Sequence, residues 1–320
     1  MARLKVKVAH LQAEGLNNLS IRLEPSGSQP LPEFCASAHI DVFLPGGLVR
    51  QYSIASAPLD KDHYELCIKK EPESRGGSSF LHEALTLGDT LEISAPRNLF
   101  ALQAAQHHVL LAAGIGITPL LSMATQLLAD GQSFALHYYT KNLEQLAYAQ
   151  RLRTHFAGQA IHLHHSDDGA SPRHHLPSDF AHPQAATCIY LCGPATSMKH
   201  MTEQALALGW AQRQLFQEVF SAAPPTGDLP VNGGYEVELR VSGRSVWVEP
   251  GQSIAHALIE MGIDVPWSCE QGFCGACLTA VLAGIPCHRD SVLSDEQKAL
   301  NDQMTLCCSR SQTSRLVLNL

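Results

Sequence analysis

The sequence predicts a multidomain chain: an all-β barrel or sandwich, an α/β domain with a parallel sheet, and a smaller α+β domain built around cysteines. Three observations predict this. Apolar and polar residues alternate in short runs over residues 1–102. Strand-like runs then alternate with helix-like ones over 103–222, the pattern of a parallel sheet. Residues 223–234 are rich in Pro and Gly and read as a linker, after which 235–320 restart with a dense cysteine loop.

In the first part Leu4, Val6 and Val8 alternate, as do Leu19, Ile21 and Leu23, the run His39 to Phe43, the run Tyr64 to Ile68, and Leu91 to Ile93. Clusters of Pro, Gly, Ser and Asn separate them, which suits a small barrel or sandwich. A helix is predicted near Ser78–Leu87, where Phe80, Leu81, Ala84 and Leu85 recur at helical spacing. In the second part Val109–Ala113 reads as a buried strand ending at Gly114-Ile115-Gly116, followed by a helix over Pro119–Ala129. Further strands are predicted at Phe134–Thr140, Ala160–His165 and Thr187–Cys192. In the third, Tyr235–Val241 and Ser245–Val248 form a hairpin around Gly243, and a helix runs over Ser253–Met261.

Bulk composition narrows the function. The chain has 320 residues, 45% hydrophobic and 16% charged, enough apolar material for more than one core. Its formal net charge of −8 argues against a nucleic-acid partner, which needs a basic footprint. No run is long and apolar enough for a membrane span, and Met1–His10 lacks a signal peptide's apolar core. A cytoplasmic protein is expected, whose 10 cysteines stay reduced or bind metal.

The sharpest pattern is Cys269, Cys274 and Cys277 in one loop with Cys307 further on: the C-x₄-C-x₂-C…C spacing of plant-type [2Fe–2S] sites. Four thiolates must converge on two irons, so three come from a tight loop and one from elsewhere. Gly272 and Gly275 free the loop backbone to aim N–H groups at sulfur. A structural zinc site is the alternative, but zinc usually takes two spaced Cys pairs, and Cys307-Cys308 is contiguous. Thr305-Leu306-Cys307 is predicted as a strand that returns the fourth thiolate, with Cys308 the fallback ligand and Cys287 a packing residue.

Weaker signals precede the cysteines. Arg50-Gln51-Tyr52-Ser53 lies on a predicted strand, and Arg75-Gly76-Gly77-Ser78 opens the first part's helix. A Gly-rich turn at a helix start offers N–H donors to a phosphate, Arg50 a charged clamp and Tyr52 a packing face for a planar ring. Alone, Gly76-Gly77-Ser78 reads as a plain turn and N-cap before it reads as a phosphate site. Gly114-Ile115-Gly116 supplies Gly-x-Gly, but Pro119 stands where a dinucleotide fingerprint has its third glycine. Pro119 suits a helix's first turn, so a pyrophosphate can still meet the helix start. Cys192-Gly193-Pro194 ends another strand, where parallel sheets bind ligands.

In this order, and together with Glu218-Val219-Phe220, these motifs resemble the phthalate dioxygenase reductase family over nearly the whole chain. That family comprises single-chain reductases serving Rieske-type oxygenases and some cytochromes P450. The resemblance implies a flavin-binding β-barrel at 1–102, an NAD(P)H-binding α/β domain at 103–222 and a β-grasp ferredoxin domain at 235–320. It implies FMN more than FAD, and electrons moving from NADH through flavin and cluster to a terminal oxygenase. Arg50, Tyr52 and Ser53 would flank the flavin ring and phosphate, with Ile68 and Lys69 in the same site. Gly76, Gly77 and Ser78 would hold the phosphate, Thr118 would lie beside the ring, and Phe220 would cover the face that nicotinamide must reach. Cys192 would lie near the nicotinamide, making Ser53, Cys192 and Phe220 the catalytic candidates. Gly114, Gly116, Thr140, Asp167, Gly193 and Pro194 complete the cofactor-binding candidates.

Acidic Ser166-Asp167-Asp168 after a strand would repel a 2′-phosphate and favours NADH, against a mild opposing signal from Lys141. The isolated protein is expected to be monomeric, without membrane or nucleic-acid partners. The oxygenase could instead be a P450, and a cluster-only carrier with a degenerate flavin site is the rival from another class. The 17 histidines include His162, His164 and His165 on one strand, with His162 and His164, two residues apart, sharing a face. They read as surface or satisfied side chains rather than a mononuclear metal site. His288-Arg289-Asp290 matches the start of a kinase catalytic loop, but the other kinase motifs are missing from the sequence.

Overall fold

The computed structural model describes residues 3–74, 76–220, 233–265, 269, 272 and 274–320. Arg75, linker residues 223–232, and Glu270, Gln271 and Phe273 of the cysteine loop lie outside the described residues. The chain divides into two compact units, Met1–Phe220 and Ser221–Leu320.

The first unit opens with strands β1 (Arg3–Ala13), β2 (Asn18–Pro25), β3 (His39–Phe43), β4 (Val49–Ser53) and β5 (Tyr64–Lys69), then helix α1 (Gly77–Glu83) and strand β6 (Thr90–Ser94). They form one antiparallel sheet in the order β4-β3-β6-β1-β2-β5. A bridge between Ile54 and Leu66 joins its two edges and closes it into a barrel. Alternation sends Val6, Val8, Ile21, Leu23, Ile40, Val42, Leu66, Ile68 and Ile93 into the barrel core. The helix is shorter than its apolar spacing suggests. It ends at Glu83, and the Leu85 N–H bonds back to the Phe80 carbonyl, so Leu85 still reaches the core while Leu87 is exposed.

The α/β part follows: β7 (His107–Ala113), α2 (Ile117–Ala129), β8 (Ser133–Thr140), α3 (Ala149–His155), β9 (Ala160–His165), β10 (Thr187–Cys192), α4 (Ala195–Ala207) and β11 (Leu215–Glu218). The five strands are all parallel, in the order β11-β10-β7-β8-β9. Winding runs from β7 out through β8 and β9, then returns to β10 on β7's other side. The switch point is therefore the β7/β10 boundary, where open α/β sheets bind ligands beyond the strands' carboxyl ends. Helix α2 is buried along nearly its whole length because it lies between this sheet and the barrel. Its Ser122 hydroxyl donates to the Ser56 carbonyl of the barrel part at 2.9 Å, and one core cluster combines Ala55, Cys67 and Phe100 with α2 and β7 side chains.

The second unit contains β12 (Tyr235–Leu239), β13 (Arg244–Val248), α5 (Ile254–Glu260), β14 (Leu278–Ala283), β15 (Pro286–Cys287), α6 (Asp295–Leu300), β16 (Gln303–Thr305), β17 (Arg310–Ser311) and β18 (Arg315–Leu318). A mixed sheet in the order β13-β12-β18-β14-β16 grasps α5, whose Ile254, Ala255, Ala257 and Leu258 are buried against Val237, Leu239 and Leu316, a β-grasp arrangement. Ser253 caps α5, accepting the His256 N–H at 3.1 Å. The strand expected at Thr305–Cys307 stops at Thr305. The next three residues form a turn, tightened by a Ser309 N–H to Thr305 carbonyl bond, which swings the Cys307 thiol out of the sheet. Among the described residues no helix is long and apolar enough to cross a membrane.

Candidate functional site

A cleft of about 260 Å³ opens in the first unit where barrel strands β4 and β5 meet the turn after β7. Strand β4 contributes Arg50, Gln51, Tyr52 and Ser53, β5 contributes Cys67 and Lys69, and the segment into α1 contributes Glu71, Glu73, Ser74 and Ser78. Ile115, Thr118 and Phe220 close the other side. Of the residues singled out in the sequence, Arg50, Tyr52, Ser53, Lys69, Ser78, Thr118 and Phe220 thus meet at one place.

Several details mark this cleft as built to hold a ligand. Ser53 is buried, and its hydroxyl has no hydrogen-bond partner among the described residues; buried hydroxyls are otherwise nearly always satisfied. The Arg50 side chain lies across the start of α1. A Cβ on Gly77 would sit 2.6 Å from Arg50 Cγ, so only glycine leaves room for that stem. Gly76 caps α1 with φ of 93°, a left-handed conformation that glycine adopts without strain. Ser78 donates to Ser74 Oγ at 3.0 Å and accepts the Glu71 N–H at 3.2 Å, pinning the loop around the cleft. Burial pushes the Tyr52 phenol up to about 12, against the pull of Arg50, so it remains a neutral, flat wall. Lys69 pairs with Glu71 at 3.1 Å. Ile68 points the other way, into the barrel core, and its carbonyl lies 2.8 Å from His82 Nε2. Cys67, Glu71, Glu73 and Ser74 were not singled out from sequence; the alternation that puts Lys69 in the cleft also puts Cys67 there.

At the switch point the glycines interlock two turns. A Cβ on Gly116 would lie 2.2 Å from the Cys192 carbonyl oxygen, and one on Gly193 would lie 2.7 Å from the Ala113 Cβ. Gly114 adopts φ of 56° and faces open space. The Cys192 thiol is fully buried, and burial with nearby Glu218 holds it protonated, far above the ordinary thiol range. The Glu218 carboxyl is itself pushed up to about 8 by burial, with Oε2 lacking a partner. Pro194 precedes α4. Thr140 and Asp167 sit at the ends of β8 and β9: the Thr140 hydroxyl lies 2.8 Å from His165 Nδ1, and Asp167 accepts the Asn142 amide at 3.1 Å.

The histidines form a layer on the sheet. His162 and His164 pair in register with His137 and Tyr139. Their rings stack on His137 at centroid distances of 4.6 and 5.3 Å. His137 lies between His164, at 3.1 Å, and the Asp179 carboxylate, at 2.7 Å.

In the second unit the cysteine thiols converge. Side-chain contacts run from Cys274 to Cys269, from Cys269 to Cys307 and from Cys307 to Cys277. Among the described residues no group of three or more His, Cys, Asp or Glu side chains is set to hold a metal ion; it is the C-x₄-C-x₂-C…C spacing that fits two irons better than one tetrahedral zinc. Gly272 and Gly275 adopt φ of 76° and 66°. The Ala276 N–H points at Cys274 sulfur at 3.4 Å, a donor such a cluster's sulfur would use. Cys287 is buried on β15. Asp290 makes local contacts, accepting the Leu293 N–H at 2.9 Å and the Ser309 hydroxyl at 3.3 Å.

A family profile described as "2Fe-2S iron-sulfur cluster binding domain" matches residues 237–312. Vanillate O-demethylase oxidoreductase of Pseudomonas putida is 44% identical over 292 residues, 91% of each chain. The solved structure of phthalate dioxygenase reductase, described as modular for electron transfer from pyridine nucleotides to [2Fe–2S], is 34% identical, with a TM-score of 0.73 over 100% of this chain and 98% of that one. Part of an intact type IV self-sufficient cytochrome P450 monooxygenase is 36% identical with a TM-score of 0.88, covering 99% of this chain but only 41% of that longer protein.

Proposed function

Because the chain belongs to the phthalate dioxygenase reductase family, we propose that it takes electrons from NADH through FMN and a [2Fe–2S] cluster to the terminal Rieske-type oxygenase of an aromatic or amine hydroxylating or demethylating system. The observation that carries the reading is the buried, partnerless Ser53 hydroxyl in a cleft walled by Arg50, Tyr52 and Phe220. Bound flavin and cluster supply the conversion of a two-electron hydride into single electrons, which side chains cannot perform.

The chain's own residues hold and order these groups. Arg50 and Ser78, with Gly76 and Gly77 at the start of α1, take the flavin phosphate. Tyr52, Ser53 and Thr118 would hold the ring, Tyr52 by packing, Ser53 with its free hydroxyl as a donor and Thr118 from the opposite lining of the cleft. Lys69 and the Ile68 backbone complete this wall. Phe220, which closes one side of the cleft, would cover the ring face that nicotinamide must reach and exclude water from it. Gly114, Gly116, Gly193 and Pro194 admit the dinucleotide backbone at the switch point, Thr140 and Asp167 meet its adenosine end, and the neutral Cys192 thiol lies near the nicotinamide. The anionic Asp167 disfavours a 2′-phosphate, which supports NADH. Cys269, Cys274, Cys277 and Cys307 ligate the cluster. We assign residues 1–102 to the flavin domain, 103–222 to the NADH domain and 235–320 to the ferredoxin domain, in a cytoplasmic protein that is monomeric when isolated and needs neither membrane nor nucleic acid.

A second reading, reductase of a cytochrome P450, draws support from the similarity to the P450 fusion. Heat release and chromatography of the bound flavin test the first reading. It expects FMN near one per chain, and a large loss of retained flavin in Arg50→Ala. FAD, or undiminished flavin in the variant, would overturn the assigned phosphate site.

A further inference from the structure

The turn between β1 and β2 of the barrel reaches across to the segment that joins β8 to α3. The Leu16 N–H donates to the Glu144 carbonyl at 2.6 Å. Gly15, at φ of 67°, lies so close that a Cβ on it would stand 2.7 Å from the Glu144 carbonyl oxygen and 2.9 Å from that of Leu146. One residue earlier, Glu14 extends its carboxylate to the same segment. Its Oε2 accepts the Tyr148 N–H at 2.9 Å, and the Gln12 amide donates to its Oε1 at 3.0 Å. One turn further along, Arg151 of α3 pairs with Glu65 of β5 at 3.2 Å, and the other oxygen of Glu65 accepts the Ser20 hydroxyl at 2.8 Å. Two barrel carboxylates thus fasten the first turn of α3.

What they fasten is a strained backbone. Tyr148, which caps α3, has φ of 58° and ψ of 26°, a left-handed conformation that a bulky residue keeps only where its surroundings enforce it. The other end of the segment borders the nucleotide crevice. The Thr140 hydroxyl donates to the Asn142 carbonyl at 2.9 Å and the Asn142 amide to the Asp167 carboxylate at 3.1 Å. The Asp167 N–H donates to the Lys141 carbonyl at 2.9 Å. A backbone rotation at Tyr148 therefore re-aims the residues that order Thr140 and Asp167.

We propose that Glu14 is a positioning residue for NADH: by accepting the Tyr148 N–H, it keeps the segment between β8 and α3 in the conformation that receives the adenosine end of the dinucleotide. The inference rests on the reading that Thr140 and Asp167 meet that end. Glu14 is not among the residues lining the flavin cleft, so its effect reaches the nucleotide through the segment alone. Without the carboxylate, Tyr148 relaxes towards the right-handed region that bulky residues prefer. Only the molecules still in the native conformation then bind NADH, and the apparent affinity falls by that fraction.

Anaerobic stopped-flow absorbance of the full-length holoprotein gives two quantities, the NADH concentration for half-maximal flavin reduction and the limiting rate. In Glu14→Ala the half-saturating concentration should rise roughly tenfold, the scale of the strain released. The limiting rate and the bound flavin should match the parent. Glu14→Gln keeps an oxygen acceptor and should recover most of the affinity. Glu14→Asp keeps the charge but withdraws the acceptor by one carbon, and should behave like the alanine variant. Hydrogen exchange over residues 143–148, read by mass spectrometry, follows the segment without turnover: it should quicken in the alanine and aspartate variants and not in the glutamine one. An unchanged half-saturating concentration in Glu14→Ala, beside a parent that NADH reduces, would overturn the proposal and leave the electron-transfer reading intact. So would a loss confined to the limiting rate, or faster exchange with undiminished affinity. Should the alanine variant fail to fold, the aspartate variant decides by the same comparison with the parent. A flavin-loaded parent that NADH does not reduce would overturn both the proposal and the reading on which it rests.

Discussion

Replacing Gly116 by alanine probes the joint between the two halves of the nucleotide crevice. The new methyl carbon would lie 2.2 Å from the Cys192 carbonyl oxygen, 2.4 Å from its carbon and 2.7 Å from the Gly193 nitrogen. All three are backbone atoms at the end of a strand that is hydrogen-bonded throughout, so no rotamer change relieves the clash. The turns after β7 and β10 must separate by about 1 Å before ordinary non-bonded distances return. Overpacking of this kind costs about 1–3 kcal/mol, which for a body of this size lowers the melting temperature by about 3–10 °C. The catalytic effect should be larger. Displacing reacting groups by about 1 Å can cost about 100-fold in rate, so NADH-dependent flavin reduction should slow far more than stability falls, with FMN still bound. Differential scanning calorimetry and anaerobic stopped-flow absorbance measure the two effects. A Gly116→Ala protein that melts and is reduced like the parent would refute the interlocked-turn argument.

Two other outcomes follow from buried ionisable groups, and both are read by chemical denaturation. Burial and neighbouring imidazoles hold His137 and His164 down to about 4. Unfolded histidines protonate near 6.5, so their contribution is complete above that pH and is lost as pH falls towards 4; His137 alone is worth on the order of 3 kcal/mol over the window. Less comes from the more exposed His164. His137→Asn should flatten the stability slope between pH 7 and pH 5, and an unchanged slope would contradict the stacked-layer account. Glu218 behaves oppositely: its carboxyl keeps its proton to about 8 when folded but releases it near 4.5 when unfolded, so stability declines as pH rises between those values. Glu218→Gln should be the more stable protein at pH 8, by on the order of 3 kcal/mol, and equal pH profiles would count against a neutral buried acid.

How much of this was legible in the sequence depends on how local each feature is. The 2Fe-2S character of the cysteine segment was legible, because three thiols must come from a few consecutive residues. The Gly114–Gly116 turn was visible between a strand and a helix, and the Arg50-Gln51-Tyr52-Ser53 motif on a predicted strand marked Arg50 and Tyr52 by their side-chain chemistry. What stayed hidden depends on which strands become neighbours. The sequence around Gly116 does not reveal that its Cα faces the Cys192 carbonyl; that follows from β10 settling beside β7. Equally, nothing local isolates the Ser53 hydroxyl or presses Cys308 under Gly272. The strand expected to carry Cys307 ends at Thr305 because the chain must turn there to bring the thiol to the loop. Three neighbouring histidines read as surface or satisfied side chains, and which partner satisfies them was not local information: pairing with β8 stacks two of them on the buried His137.

An anaerobic titration of the purified full-length protein with NADH, followed by visible absorbance, tests the central claim most directly. The account predicts flavin and cluster bands that both bleach, with the reduced-cluster paramagnetic signal growing as NADH is added. A cluster spectrum with no flavin, unresponsive to NADH even after FMN is supplied, would contradict it and leave a one-electron carrier in place of a reductase.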